Sequence, residues 1–183
     1  MPRFDKLLVL DLDETLLHAA DSEDDVGRSP DHRLFDYPLY RRPHVDTFLA
    51  WAREHFELGV WTSSSASYAA PVVDWLGLGD VSFVWSRQRC SRRFDSETMD
   101  VVYRKPLWKL LRRGYAKEKV LFVDDTPEKI AASYGNHVPV RPYEGDLADD
   151  ELLWLPKLLE SLGPLPNVRA IEKRGWRRRF VDG

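Results

Sequence analysis

The chain has 183 residues, 43% of them hydrophobic and 31% charged, with a formal net charge of −3. That balance suits one packed domain, argues against wholesale disorder, and gives no overall pull toward nucleic acid or an anionic membrane. A single cysteine, Cys90, excludes an internal disulfide, no stretch nears the roughly 18 apolar residues of a membrane span, and the opening apolar run is too short for a signal peptide, so a cytoplasmic protein is expected.

In chain order, the first element is an almost continuously apolar run over 6–12 (KLLVLDL), the pattern of a strand covered on both faces of a parallel sheet. It ends in Asp11 and Asp13. A polar segment with turn formers and an acidic cluster (DSEDD, 21–25) follows over 18–43. Helical spacing of Val45, Phe48, Leu49, Ala52 and Phe56 predicts a helix over 44–56, and ELGVW (57–61) a short strand. Hydroxyl residues 62–65 form a strand-to-helix turn before a helix over 67–76, stopped by Gly77. VSFVW (81–85) is the next strand, and 86–104 a β-ribbon excursion. Pro106 opens a helix that Gly114 stops. KVLFV (119–123) is a buried strand running into Asp124 and Asp125. A short helix (127–133), a last strand (137–140) and a closing helix (149–162) complete the alternation.

This order predicts an α/β fold, a three-layer Rossmann-like arrangement with a parallel sheet, a small β-ribbon insertion and no large cap domain. One domain spans 1–163, with the insertion at about 86–104, followed by an Arg-rich tail, 164–183, expected to be partly mobile.

In open α/β sheets ligands bind at the carboxyl ends of the strands. There the sequence places Asp11 and Asp13, Thr62, and Asp124 with Asp125, while Lys105 at a helix mouth supplies a cation and Arg104 stands beside it. Two buried carboxylates one residue apart require positive charge nearby. A hard divalent ion, Mg²⁺ above all, joined by Lys105, meets that need, and the set suits a phosphate dianion. One carboxylate can attack phosphorus to form an aspartyl-phosphate, Lys105 and Thr62 can hold the phosphoryl oxygens, and the other carboxylate can protonate the leaving oxygen and then activate water. No G-x-x-x-x-G-K-[ST] or G-x-G-x-x-G occurs, which removes nucleotide-kinase and dinucleotide readings.

These residues resemble the haloacid dehalogenase superfamily, and within it the small phosphatases that act on the carboxy-terminal domain of RNA polymerase II. DLDETLLH resembles the first motif, D-x-D-x-T; RRPHVDTFL (41–49), VWTSSSASYAAPV (60–72), VWSRQRC (84–90) and VDDTPEK (123–129) resemble later ones, in order, over roughly 6–162. The resemblance implies that Asp11 is the nucleophile and Asp13 the general acid/base. It implies that Thr62 and Lys105 bind phosphate, and that Arg87 is a further substrate contact. Mg²⁺ would be held by Asp11, the backbone carbonyl of Asp13, and the final pair, Asp125 ahead of Asp124. Two departures stand out: Ser63 replaces the usual alanine, and the 18–43 segment looks shorter and lacks the family's apolar run.

The expected activity is a Mg²⁺-dependent phosphatase acting on a phosphorylated protein or peptide. The alternative is a nucleic-acid end (3′-)phosphatase, because 84–113 carries nine basic residues, Arg92 and Arg93 among them, against three acidic ones. A third reading is a non-catalytic binding module, against which the intact Asp11, Asp13, Lys105, Asp124 and Asp125 set argues. No membrane association is expected, and nothing in the sequence speaks to oligomeric state.

Overall fold

The computed structural model describes residues 1–95 and 99–180. Three residues of the expected insertion, 96–98, and the end of the expected tail, 181–183, lie outside the described residues. The strands and helices, in chain order, are β1 (Leu7–Leu10), β2 (Leu17–Ala19), β3 (His32–Leu34), β4 (Tyr37–Arg41), α1 (Val45–His55), β5 (Glu57–Trp61), α2 (Ala66–Trp75), β6 (Val84–Trp85), β7 (Ser91–Asp95), β8 (Asp100–Arg104), α3 (Trp108–Leu111), β9 (Val120–Asp124), α4 (Pro127–Ile130), β10 (His137–Pro139), α5 (Glu151–Leu162) and α6 (Arg177–Phe180).

Five strands form a parallel sheet in the order β10-β9-β1-β5-β6. β1 lies at its centre and is buried along its whole length because both faces are covered. Leu8 and Leu10 face one core, with Phe48 and Leu49 of α1, Val72 of α2 and Leu155 and Leu159 of α5. Leu7 and Val9 face the other, with Trp61, Phe122, Leu110 of α3 and Ile130 of α4. Alternating residues of one strand thus feed both cores, which makes three layers. In the register, Leu10 stands opposite Val60 on one side and Val123 on the other. Asp11, Thr62 and Asp124 therefore leave the sheet at one edge.

The expected ribbon is there: β7 and β8 pair antiparallel from Ser91–Arg104 to Asp95–Asp100. The polar 18–43 segment is not loop throughout, since β2, β4 and β3 form a small antiparallel sheet. Strands this short, with exposed residues along β3, carry too little alternation to be told from loop in sequence. Three boundaries also differ. The strand expected over 81–85 pairs only at Val84 and Trp85. The helix expected from Pro106 is regular only over Trp108–Leu111. The helix expected over 127–133 ends at Ile130, whose φ of −111° and ψ of 5° leave helical geometry, and the chain goes on as a 3₁₀ segment, Ala131–Asn136, kinked at Ser133 (φ −141°).

As far as Phe180, the last described residue, the Arg-rich tail is docked against the domain. Trp176 is buried in the first core and its indole N–H donates to the Pro139 carbonyl at 2.7 Å. Arg177 pairs with Asp150 and Glu151, both at 2.9 Å. Trp176→Ala is expected to destabilise the domain by about 3–5 kcal/mol, the usual cost of emptying a large aromatic site. A denaturation midpoint unchanged from wild type would show the tail to be dispensable. Among the described residues, no helix is long and apolar enough to cross a membrane.

Candidate active site

At the sheet edge, the chain leaves β1 through Asp11 and turns through Glu14, whose φ of 56° is left-handed. The Asp11 carboxylate is buried between two ammonium groups: Oδ1 lies 3.0 Å from Lys105 Nζ, and Oδ2 lies 2.9 Å from Lys129 Nζ. Its Oδ1 also accepts the Leu12 N–H at 2.9 Å. Asp124, at the end of β9, shares both lysines, at 2.6 Å from Lys105 and 3.9 Å from Lys129. The Lys105 N–H donates to the Lys129 carbonyl at 2.8 Å, so the start of the α3 segment and α4 present their lysines together.

The electrostatics follow. Burial alone would push the Asp11 carboxyl up, but Lys105 and Lys129 overcome it and hold Asp11 below the usual carboxylate range. Asp124 moves the other way, pushed up by burial and by the Asp11 charge beside it. For Lys129, burial works against the charge, yet Asp11 and Asp124 keep the ammonium firmly protonated.

One oxygen each from Asp11, Asp124 and Asp125 lies within 4.8 Å of the others. An all-carboxylate oxygen set of this size fits a hard divalent cation. Asp125 is oriented by the hydroxyls of Thr15 (3.3 Å) and Thr126 (3.1 Å). The Asp13 carboxylate is not in this trio. It turns to the cleft wall, where Ser64 Oγ donates to it at 2.7 Å and the Tyr68 hydroxyl donates to its other oxygen. Burial raises its pKa, against the lowering effect of those two donors.

Thr62, fully buried, accepts the Ser64 N–H at 3.0 Å and so connects through Ser64 to Asp13. Ser65 caps α2 by accepting the Tyr68 N–H, which sets the ring that reaches Asp13. Arg87 is exposed, donates to the Ser63 carbonyl at 2.6 Å and lies over the Tyr103 ring. An open cleft of about 400 Å³ is bounded by Asp13, Ser63, Ser64, Tyr68, Arg87 and Lys129.

The structure thus brings Asp11, Lys105, Asp124 and Asp125 into one cluster, with Asp13 and Arg87 on the cleft beside it. Lys105, not Arg104, meets the carboxylates. Sequence reasoning missed Lys129, Tyr68 and Ser64. A cation in the helical turn after the Asp124–Asp125 pair was the available sign for Lys129.

The family model described as NLI interacting factor-like phosphatase matches residues 6–169. The chain is 32% identical over 172 residues to a probable C-terminal domain small phosphatase of Dictyostelium discoideum, covering 91% of this chain and 53% of that one. It is 32% identical over 175 residues to the human CTD small phosphatase-like protein, covering 92% and 60%. Over 186 residues it is 30% identical to nuclear envelope morphology protein 1 of Saccharomyces cerevisiae, covering 91% and 41%. The chain spans about half the length of the curated relatives it matches. Among solved structures, the fission yeast RNA polymerase II CTD phosphatase Fcp1 bound to beryllium fluoride superposes with a TM-score of 0.57 at 22% identity, covering 79% of this chain and 43% of that one. A putative beta-phosphoglucomutase from Thermotoga maritima gives 0.55 at 14% identity, covering 86% and 99%. At these identities the structural likeness speaks for the fold.

Proposed function

The chain belongs to the NLI interacting factor-like phosphatase family, a branch of the haloacid dehalogenase-type hydrolases, and from that premise we propose that it is a Mg²⁺-dependent phosphomonoesterase working through an aspartyl-phosphate on phosphoserine or phosphothreonine in proteins, with phosphotyrosine a further candidate. One observation carries the proposal. The buried Asp11 carboxylate is kept ionised between two ammonium groups at the side of an open cleft.

In this reading Asp11 attacks phosphorus and the bond to the ester oxygen breaks. Asp13, two residues on and held at the cleft wall by Ser64 and Tyr68, gives its proton to the leaving oxygen. It then takes one from the water that opens the acyl-phosphate. Lys105, Thr62 and Arg87 hold the phosphoryl oxygens, and Lys129, which lines the cleft, joins them. Asp11, Asp124 and Asp125 would hold the Mg²⁺, which when bound supplies the charge that offsets repulsion between carboxylates and phosphate.

The test is direct competition of phosphopeptides against 3′-phosphorylated oligonucleotides at equal concentration with Mg²⁺ present. Preferred turnover of the peptides is expected. Preference for the oligonucleotides would favour the end-phosphatase reading, for which the basic stretch 84–113 is the supporting observation.

Asp13→Asn is expected to slow alkyl phosphates far more than aryl phosphates, by about 10²-fold or more, since poor leaving groups need the proton. Equal losses on both would remove Asp13 from the acid role. Lys129 yields a prediction that does not depend on turnover. Its ammonium stands against two carboxylates of the trio and opposes a dication there. Lys129→Met should tighten Mg²⁺ binding measured by calorimetry by about tenfold. An unchanged or weaker affinity would show that Lys129 does not contend for those carboxylates.

A further inference from the structure

A second concavity, of about 350 Å³, is lined by Trp85, Arg89, Trp108, Lys109, Arg112 and Arg113. Four cations converge on it, and among the described residues no acidic side chain lines it. Among the described residues none of the four is in an ion pair. Like charges gathered this way repel, and in place of carboxylates the protein offers them aromatic faces. The Arg89 guanidinium lies 5.3 Å from the Trp85 ring centroid and that of Arg113 lies 5.6 Å from it. Lys109 and Arg112 each lie 5.5 Å from Trp108. Such contacts orient a cation without neutralising it, each giving about 0.5–1 kcal/mol where exposed. Four cations held around one hollow in this way suit an anion.

The chemistry narrows which anion. The indole faces carry the protein's own cations, so the pocket offers N–H donors and not a bare platform for stacking a base. That favours a phosphoryl group, which arginines bind through paired donors. Position narrows it further. Arg87 lines the active cleft and Arg89 the second pocket, on one short 3₁₀ turn, Arg87–Arg89. Lys109 fastens that turn by donating to the Arg89 carbonyl at 2.6 Å. A turn of this kind rises only about 2.0 Å per residue, so the two sites are neighbours. An extended peptide, advancing about 3.3 Å per residue, reaches from one to the other within a few residues.

We propose that this pocket binds a second phosphoryl group on a multiply phosphorylated peptide whose first phosphate enters the active cleft. The proposal rests on the protein-phosphatase reading above for its peptide, and its test separates the two.

Binding is measured by fluorescence anisotropy on the full chain carrying Asp11→Asn, which keeps the ligands intact. The probes are a labelled monophosphoserine peptide, a set of diphosphoserine peptides with the second phosphate at successive positions, and a 3′-phosphorylated oligonucleotide. One spacing should bind about tenfold more tightly than the monophosphopeptide, as charge-assisted hydrogen bonds to the second phosphate are added. Adding Arg112→Gln with Arg113→Gln should abolish that advantage. In the active protein the same pair should raise KM for the diphosphopeptide by about tenfold while leaving kcat/KM for an aryl phosphate within about twofold, which also shows that the fold survives. Equal binding of mono- and diphosphopeptides at every spacing overturns the proposal. So does an advantage that survives the Arg pair, or a loss confined to the oligonucleotide. Discriminating binding with no peptide turnover would instead overturn the protein-phosphatase reading and leave the second phosphate pocket standing.

Discussion

Asp11→Asn is expected to lower kcat on any phosphate monoester by about 10⁴-fold or more, the scale on which loss of a nucleophile registers in enzymes that form covalent intermediates. The amide matches the carboxylate in shape but cannot form the acyl-phosphate. It also removes the negative charge that Lys105 and Lys129 grip at 3.0 and 2.9 Å. Both lysines keep Asp124 as a partner, so the fold should survive. The variant's circular dichroism and melting behaviour check that point, and aryl phosphate turnover reads the chemistry. Activity within a few fold of wild type would take the nucleophile role from Asp11.

Arg42→Met should cost about 3–5 kcal/mol, a large share of the 5–15 kcal/mol that holds a typical domain together. Arg42 is fully buried and grips Asp149 through two bonds, at 2.7 and 2.8 Å. Its other donors reach the carbonyls of Thr15 at 3.0 Å and Arg141 at 2.9 Å. It thereby ties the turn after Asp11 and Asp13 to the approach of α5. Methionine fills much of the volume but takes the guanidinium from a carboxylate that is only about a tenth exposed and from two carbonyls. The denaturant midpoint should fall without a change in slope. Even in the folded fraction, phosphatase activity should drop, because the Glu14–Thr15 turn loses its anchor. A loss below about 1 kcal/mol would mean that water replaces the guanidinium at little cost.

The fold was largely legible because its central strands announce themselves. Runs such as LLVL and VLFV can be satisfied only by cover on both faces, and alternation with helical segments then requires parallel pairing. What was not legible is short or non-local. The β2–β4–β3 sheet rests on strands of three and five residues. The docking of the tail was hidden because RGWRRRF looks like a solvated basic run, whereas the buried Trp176 and the ion pairs of Arg177 fix it against Pro139, Asp150 and Glu151.

For the site, the sequence by itself determined that Asp11, Thr62 and Asp124 would share an edge, because residues ending parallel strands must leave the sheet on the same side. It also determined that those carboxylates would need positive charge, because burying them unpaired is too costly. Which cations answer that need was decided by tertiary structure. Lys129 lies 118 residues from the carboxylate it grips, and Tyr68 lies 55 residues from Asp13. Each stands in a motif stretch, VDDTPEK or VWTSSSASYAAPV, but nothing in either stretch says which carboxylate its side chain will meet. The same holds for Arg89, Arg112 and Arg113: the sequence shows a basic stretch, and only packing sets these three around one hollow with two tryptophans. Spacing along the chain reports which face a side chain takes; the distance between two faces exists only once the layers have closed on each other.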